Sequence, residues 1–239
     1  MLFSKEFFEL NLNFAREISE VTGQSLQHSL LNYTHLYLAF GLGRDFDPEH
    51  STWQSYVRGL TDTPDPVEYT HHIYRTQETI QPKQEPENTF GCFSYALWEG
   101  DRVRLHFRNA THEHGALKKQ ESPKRLAELR AMFEHLKAIV PATSTVVGGS
   151  WLYNIEAYRR LFPESYLRSA QVGSDEFQFL ALWGQFLFSD GHVRSEVAHV
   201  FLEGIEGQKT LESITSCFPY QVLRLESPIK DFYIHFGIG

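Results

Sequence analysis

Arg104, His106 and Arg108 recur at every second position, so an extended backbone would bring two guanidiniums and an imidazole onto one side. Such a row suits an anionic or planar ligand, because guanidiniums grip carboxylates and phosphates through paired N–H donors and stack on rings. The preceding run, residues 90–98, is joined to it by Glu99-Gly100-Asp101, a hairpin signal. With Gly100 and Asp101 as a two-residue turn, Tyr95 faces His106, Leu97 faces Arg104 and Phe93 faces Arg108. The other side then holds Cys92, Ser94, Ala96 and Trp98 with Val103, Leu105 and Phe107. In this arrangement Arg104 and Arg108 bind charge, while Tyr95 and His106 are the candidates for proton transfer. A solvated face whose arginine stems cover the rings explains the same pattern without a ligand.

A second constellation is Gly148-Gly149-Ser150-Trp151-Leu152-Tyr153-Asn154. A glycine pair leaving a strand permits close approach by a ligand or by another element. Tyr153 is a candidate general acid, and Trp151 and Asn154 are candidate ligand contacts. Asn154 serves equally as a helix cap. Ser150 is no nucleophile elbow, since Leu152 stands where that motif needs its closing glycine.

The chain has 12 histidines, but no metal centre is expected. His112-Glu113-His114 reads as a loop, and the adjacent His71-His72 diverge on a helix. Neither gives the spacing that aligns ligands on a helix face. Asp45-Phe46-Asp47 and Asp175-Glu176 fall where helices should begin, where carboxylates are favoured by capping and the helix dipole. There is no glycine-rich nucleotide loop and no paired Cys-x-x-Cys.

Several elements must position these residues. Phe7, Leu10, Phe14, Ile18 and Val21 form one apolar stripe, so a first helix runs to Thr22-Gly23. A second helix is expected from Ser25 to Phe40, stopped by Gly41. Asp47-Pro48 and Asp65-Pro66 each announce a further helix start. Residues 81–89 are polar, contain two prolines and have no period, so they read as a linker. Then come the hairpin, a helix from Ser122-Pro123, a strand over Thr143–Val147 and a helix ending near Phe162-Pro163. Helices are expected around 175–188, 193–206 and 208–216, a strand over 220–225, and a last helix from Ser227-Pro228. This order predicts an α+β fold with a small, mostly antiparallel sheet built on the 90–109 hairpin. The expected division is a helical region over 1–80 and a sheet-bearing region over 90–239, with one continuous domain as the alternative.

Composition narrows the function classes. The 239 residues are 41% hydrophobic and 22% charged, ordinary for a folded protein. With 19 Phe, 11 Tyr and 4 Trp, the chain implies an aromatic-heavy core or an aromatic-lined pocket. A formal charge of −8 argues against a general nucleic-acid binder. Two cysteines, Cys92 and Cys217, make neither a disulfide framework nor a four-thiolate site, which suits a cytoplasmic protein. No apolar run approaches a membrane span, and Met1-Leu2-Phe3-Ser4-Lys5-Glu6 does not open a signal peptide.

From Phe90 to Pro163 the order hairpin, helix, strand, short helix resembles the middle of the GNAT acyltransferase superfamily. Asn154, Ala157 and Phe162 are similar in type and approximate spacing to an Asn, Ala and aromatic that follow that family's strand. The resemblance implies a coenzyme A thioester as cofactor or substrate. The sequence departs from the family at the loop that cradles the pyrophosphate, Gln or Arg-x-x-Gly-x-Gly or Ala. Only His112-x-x-Gly115-x-Leu117 stands there, and Gly115 lies well ahead of the helix. Three functions therefore stay open: an enzyme or binding protein for a small anionic or aromatic molecule, an acyl-CoA-dependent transferase, and a non-catalytic interaction protein.

Overall fold

The computed structural model describes residues 2–80, 88–109, 115–173 and 177–239. Residues 81–87 of the linker, His112, Glu113, His114 and the Asp175-Glu176 pair fall outside them. In chain order the helices and strands begin with α1 (Lys5–Thr22), α2 (Leu26–Tyr33), α3 (Leu36–Ala39), α4 (Ser51–Asp62) and α5 (Pro66–Ile80). Next are β1 (Thr89–Phe90), β2 (Phe93–Trp98), β3 (Arg102–Phe107), α6 (Ser122–Ile139), β4 (Thr145–Ser150), α7 (Glu156–Arg159), α8 (Glu164–Arg168) and β5 (Gln171–Val172). The last are α9 (Leu180–Trp183), α10 (Ser195–Ile205), α11 (Leu211–Thr215), β6 (Leu223–Pro228) and α12 (Ile229–Phe236). Among the described residues no helix is long and apolar enough to cross a membrane.

The chain forms two compact units, Met1–Gln84 with Asp175–Pro219, and Glu85–Ser174 with Tyr220–Gly239. The boundary differs from the expected one: α9, α10 and α11 join the N-terminal helices rather than the sheet. The reason lies in α1. Its apolar stripe is too large for α2 and α5 alone to bury, and Phe14 packs against Trp183, Phe201 and Phe218 at ring distances of 5.2, 5.8 and 5.4 Å. Much of the aromatic content is spent on this stacked core.

Local chemistry explains where these helices stop. Gly23 ends α1 in the left-handed region at φ 70°, where a side chain would be strained. The helix expected to run from 25 to 40 is interrupted at Thr34, which is extended and turns its hydroxyl back onto the Leu30 carbonyl. The buried amide oxygen of Asn11 accepts the His35 N–H left over at the break. At Asp65-Pro66 the carboxylate accepts from the backbone N–H of Val67 and Glu68, as an N-cap should. At Asp47-Pro48 it accepts only from Glu49, and α4 begins later, capped by the His50 ring.

The second unit holds a six-stranded sheet in the order β1-β2-β3-β4-β6-β5. The sheet is mixed rather than mostly antiparallel, because α6 carries the chain over so that β4 lies parallel to β3. A run read as one strand, 90–98, is two: Gly91, at φ 61°, and Cys92 turn the chain between β1 and β2.

The hairpin register differs by one residue from the expected pairing. Trp98 pairs with Arg102, Ala96 with Arg104, Tyr95 with Leu105, Ser94 with His106 and Phe93 with Phe107. Glu99, Gly100 and Asp101 form a three-residue loop in which Gly100 takes a positive φ of 71°. A one-residue slip exchanges the faces of one strand relative to the other. The face expected to combine Tyr95 with Arg104 and His106 is therefore absent. Instead Phe93, Tyr95 and Leu97 share a face with Val103, Leu105 and Phe107, and Val146, Gly148 and Leu225 continue it. Leu129, Phe133 and Leu136 of α6 and Phe232 of α12 bury this apolar face except at Leu97, which is exposed near the hairpin tip.

Candidate functional site

The opposite, polar face carries Ser94, Ala96 and Trp98 of β2, Arg102, Arg104 and His106 of β3, Val147 and Gly149 of β4, and Arg224 and Glu226 of β6. Three guanidiniums thus meet one carboxylate on one side of the sheet, in a chain whose formal charge is −8. Arg102 is ion-paired to Glu226. The guanidinium of Arg104 lies 4.8 Å from the Trp98 ring centroid, a cation–π contact. Its Nη2 passes over Gly149, where a Cβ would come 3.4 Å away, an ordinary contact. Arg224 pairs across the strands with Gly149 and is exposed.

The parallel pair adds a second feature. β3 and β4 are six residues each, yet their pairing covers only Arg102 with Thr145, Val103 with Val146 and Arg104 with Val147. The strands are paired over their N-terminal halves alone. His106 on one strand and Gly148-Gly149 on the other lie past the last pair. In open sheets, ligands bind outside the carboxyl ends of parallel strands, where the ladder leaves a crevice.

The remaining candidates fall into three places. Arg108 is exposed just past β3, its backbone N–H donating to the Cys92 carbonyl. Trp151 lies in the 3₁₀ turn after β4 and stacks on Tyr220 at 5.8 Å. Asn154 does not cap α7; its amide donates to the Trp151 and Gln221 carbonyls and ties this turn to the start of β6. Ser150 caps the turn by accepting from the Leu152 N–H.

Both tyrosines proposed for proton transfer lie on the covered side. Tyr95 is buried on the apolar face, and burial raises its pKa. Tyr153 is 2% exposed, with its hydroxyl 2.9 Å from that of Tyr166. Burial pushes Tyr153 up to about 12, partly offset by hydrogen bonds from Tyr166 and Tyr158. The same desolvation holds Tyr158 and Tyr166 well above the ordinary phenol value. Their hydroxyls crowd over Gly148, where a Cβ would sit 2.1 Å from the Tyr166 oxygen and 2.3 Å from that of Tyr153. These phenols stay neutral on the covered side of the sheet.

Sequence reasoning missed Trp98, Arg102 and Arg224 as members of the cationic face. The signal for the first two was present, since the correct register is the one that sorts apolar side chains together. Arg224 carried no local signal, because its neighbours on β4 are far away in sequence. Comparison with protein families, curated proteins and solved structures finds no match to this chain.

Proposed function

We propose that this protein binds a small, multiply charged anion on the polar face of the sheet, at the carboxyl ends of β3 and β4. One observation carries the reading: the Arg104 guanidinium rests on the Trp98 ring, beside Gly149 and the place where the β3–β4 ladder stops. A fixed guanidinium loses less freedom on binding than a mobile one. Arg224 extends the cationic surface, His106 adds a hydrogen-bonding imidazole, and the stacked Trp151 and Tyr220 offer a planar flank. Tyr95 and Tyr153 take no part, since both lie on the covered side; His106 is the proton-transfer candidate that lies on this face.

An acyl-CoA thioester is the second reading, favoured by the β3–α6–β4 crossover and its parting strands. The residues ahead of α6 fit a diphosphate in charge but not in shape. Lys118 and Lys119 are exposed there and Gly115 stands at φ 118°. Against this, Leu117 fills the small-residue position, Glu121 puts a carboxylate at the helix N-terminus, and Pro123 removes a donor.

Isothermal titration of the full chain with coenzyme A, acetyl-CoA, ATP and citrate tests both readings. The first expects heat from more than one of these anions, weakening with added salt. Heat from coenzyme A and acetyl-CoA alone would select the second. No heat from any of them at millimolar concentration would remove both.

A further inference from the structure

We infer that Cys92 is a reversible oxidation site, where hydrogen peroxide adds an oxygen to the sulfur and Arg125 hydrogen-bonds that oxygen. The site lies at the turn between β1 and β2, against the first turns of α6. Cys92 is 2% exposed, and Gly91 just before it is open to solvent. The side chain of Arg125, itself 1% exposed, donates from Nη1 to the Cys92 Sγ. Glu128, three residues along α6, closes the cluster. Its Oε1 lies 2.8 Å from Nη2 of Arg125, and its Oε2 accepts from the Cys92 backbone N–H at 3.0 Å. Gly91 lets the carboxylate come this close, since a Cβ there would fall 2.1 Å from the Glu128 carboxyl carbon.

Donor capacity left unspent is what points to an oxygen on this sulfur. A buried guanidinium is costly unless its N–H groups are bonded. Yet Nε of Arg125 has no hydrogen-bond partner, and Nη2, though ion-paired to Glu128, is not aligned for one. A thiol sulfur is a weak acceptor, whereas a sulfenic oxygen would give the same guanidinium a strong one. Cys217 has the opposite setting. Its Sγ faces the carbonyl oxygens of Gly204 and Ser213 at 3.2 and 3.3 Å, which suit an S–H donor and would repel an added oxygen. In the step, the Cys92 sulfur attacks one peroxide oxygen, so an S–O bond forms as the O–O bond breaks. Sulfur gives up two electrons, and the departing hydroxide takes the thiol proton and leaves as water. Cys92 is the one cysteine of its unit, so the product is a sulfenic acid and not a disulfide within that unit. Dithiothreitol reverses the step, its two thiols becoming a disulfide as the oxygen leaves as water.

The test exposes the full chain to about tenfold excess of hydrogen peroxide, removes the excess with catalase, and traps sulfenic acid with dimedone in urea. Trapping in urea keeps burial from limiting the label, and peptide mass spectrometry reads both cysteines. The expected result is at least about tenfold more label at Cys92 than at Cys217, erased by dithiothreitol given before the trap. Arg125→Met keeps the reach of the side chain without its donors, and should lower the Cys92 label about tenfold. The wild-type comparison needs no variant, so it decides the matter even where Arg125→Met does not fold. Label at neither cysteine, or as much at Cys217 as at Cys92, would overturn the inference. So would an undiminished Cys92 label in folded Arg125→Met. None of these outcomes bears on the anion site, which lies on the polar face of the sheet.

Discussion

On the apolar face of the sheet, Gly148 leaves room for the hydroxyls of Tyr153 and Tyr166; on the polar face Gly149, one residue on, only touches the guanidinium of Arg104. The two glycines meet different demands. Behind Gly148 the neighbours are rigid rings locked in a buried hydrogen bond, and nothing can yield. Above Gly149 the neighbour is the far end of one long side chain, at ordinary contact distance. The first glycine is required by packing, and the second position would accept a methyl group. The same contrast runs along β3, where Val103, Leu105 and Phe107 lie on the covered face and Arg102, Arg104 and His106 on the polar one.

The largest expected effect tests that contrast directly. Leu105→Ala should cost about 3 kcal/mol in chemical denaturation, from lost burial and a cavity on the covered face. Its neighbour Arg104→Ala should cost less than about 1 kcal/mol. Equal losses would mean that both faces carry the fold. A smaller difference is expected at the glycines: Gly148→Ala should cost about 2 kcal/mol through overpacking against the two phenols. Gly149→Ala should stay within about 0.5 kcal/mol. Tyr166→Phe, which removes one hydroxyl from the buried pair, should cost about 1 kcal/mol.

The finest test is alkaline. An unfolded tyrosine ionises near 10, whereas folded Tyr153 is held up to about 12 by burial. The folded state then binds more protons than the unfolded one, so this contribution is complete below pH 10 and falls as pH rises from 10 through 12. Thermal melts across that window should show a decline that is weaker in Tyr153→Phe. A flat profile would place the phenol in water.

Much of the fold was legible because it is written locally. The stripe of α1, the Asp65 cap of α5, the Ser122-Pro123 start and the existence of the 90–109 hairpin all follow from neighbours in sequence. The failures have one cause each. Gly100-Asp101 was read as a two-residue turn where three residues turn, and that single residue moved Tyr95 to the opposite face from His106. The Gly91-Cys92 turn was hidden in an aromatic run that also reads as one strand. That α9–α11 cover α1 is a long-range fact, which no local period encodes. The glycine pair was read correctly as a place of close approach, but the approaching groups, two phenols and one guanidinium, come from three other elements.

The most direct measurement is a calorimetric titration of the wild type and of Arg104→Ala/Arg224→Ala with the tightest-binding anion of the panel. The account predicts saturable binding by the wild type and at least about a hundredfold loss in the double variant, with both proteins melting at the same temperature. Undiminished binding by the double variant would contradict it, for the cations on the polar face would then hold nothing.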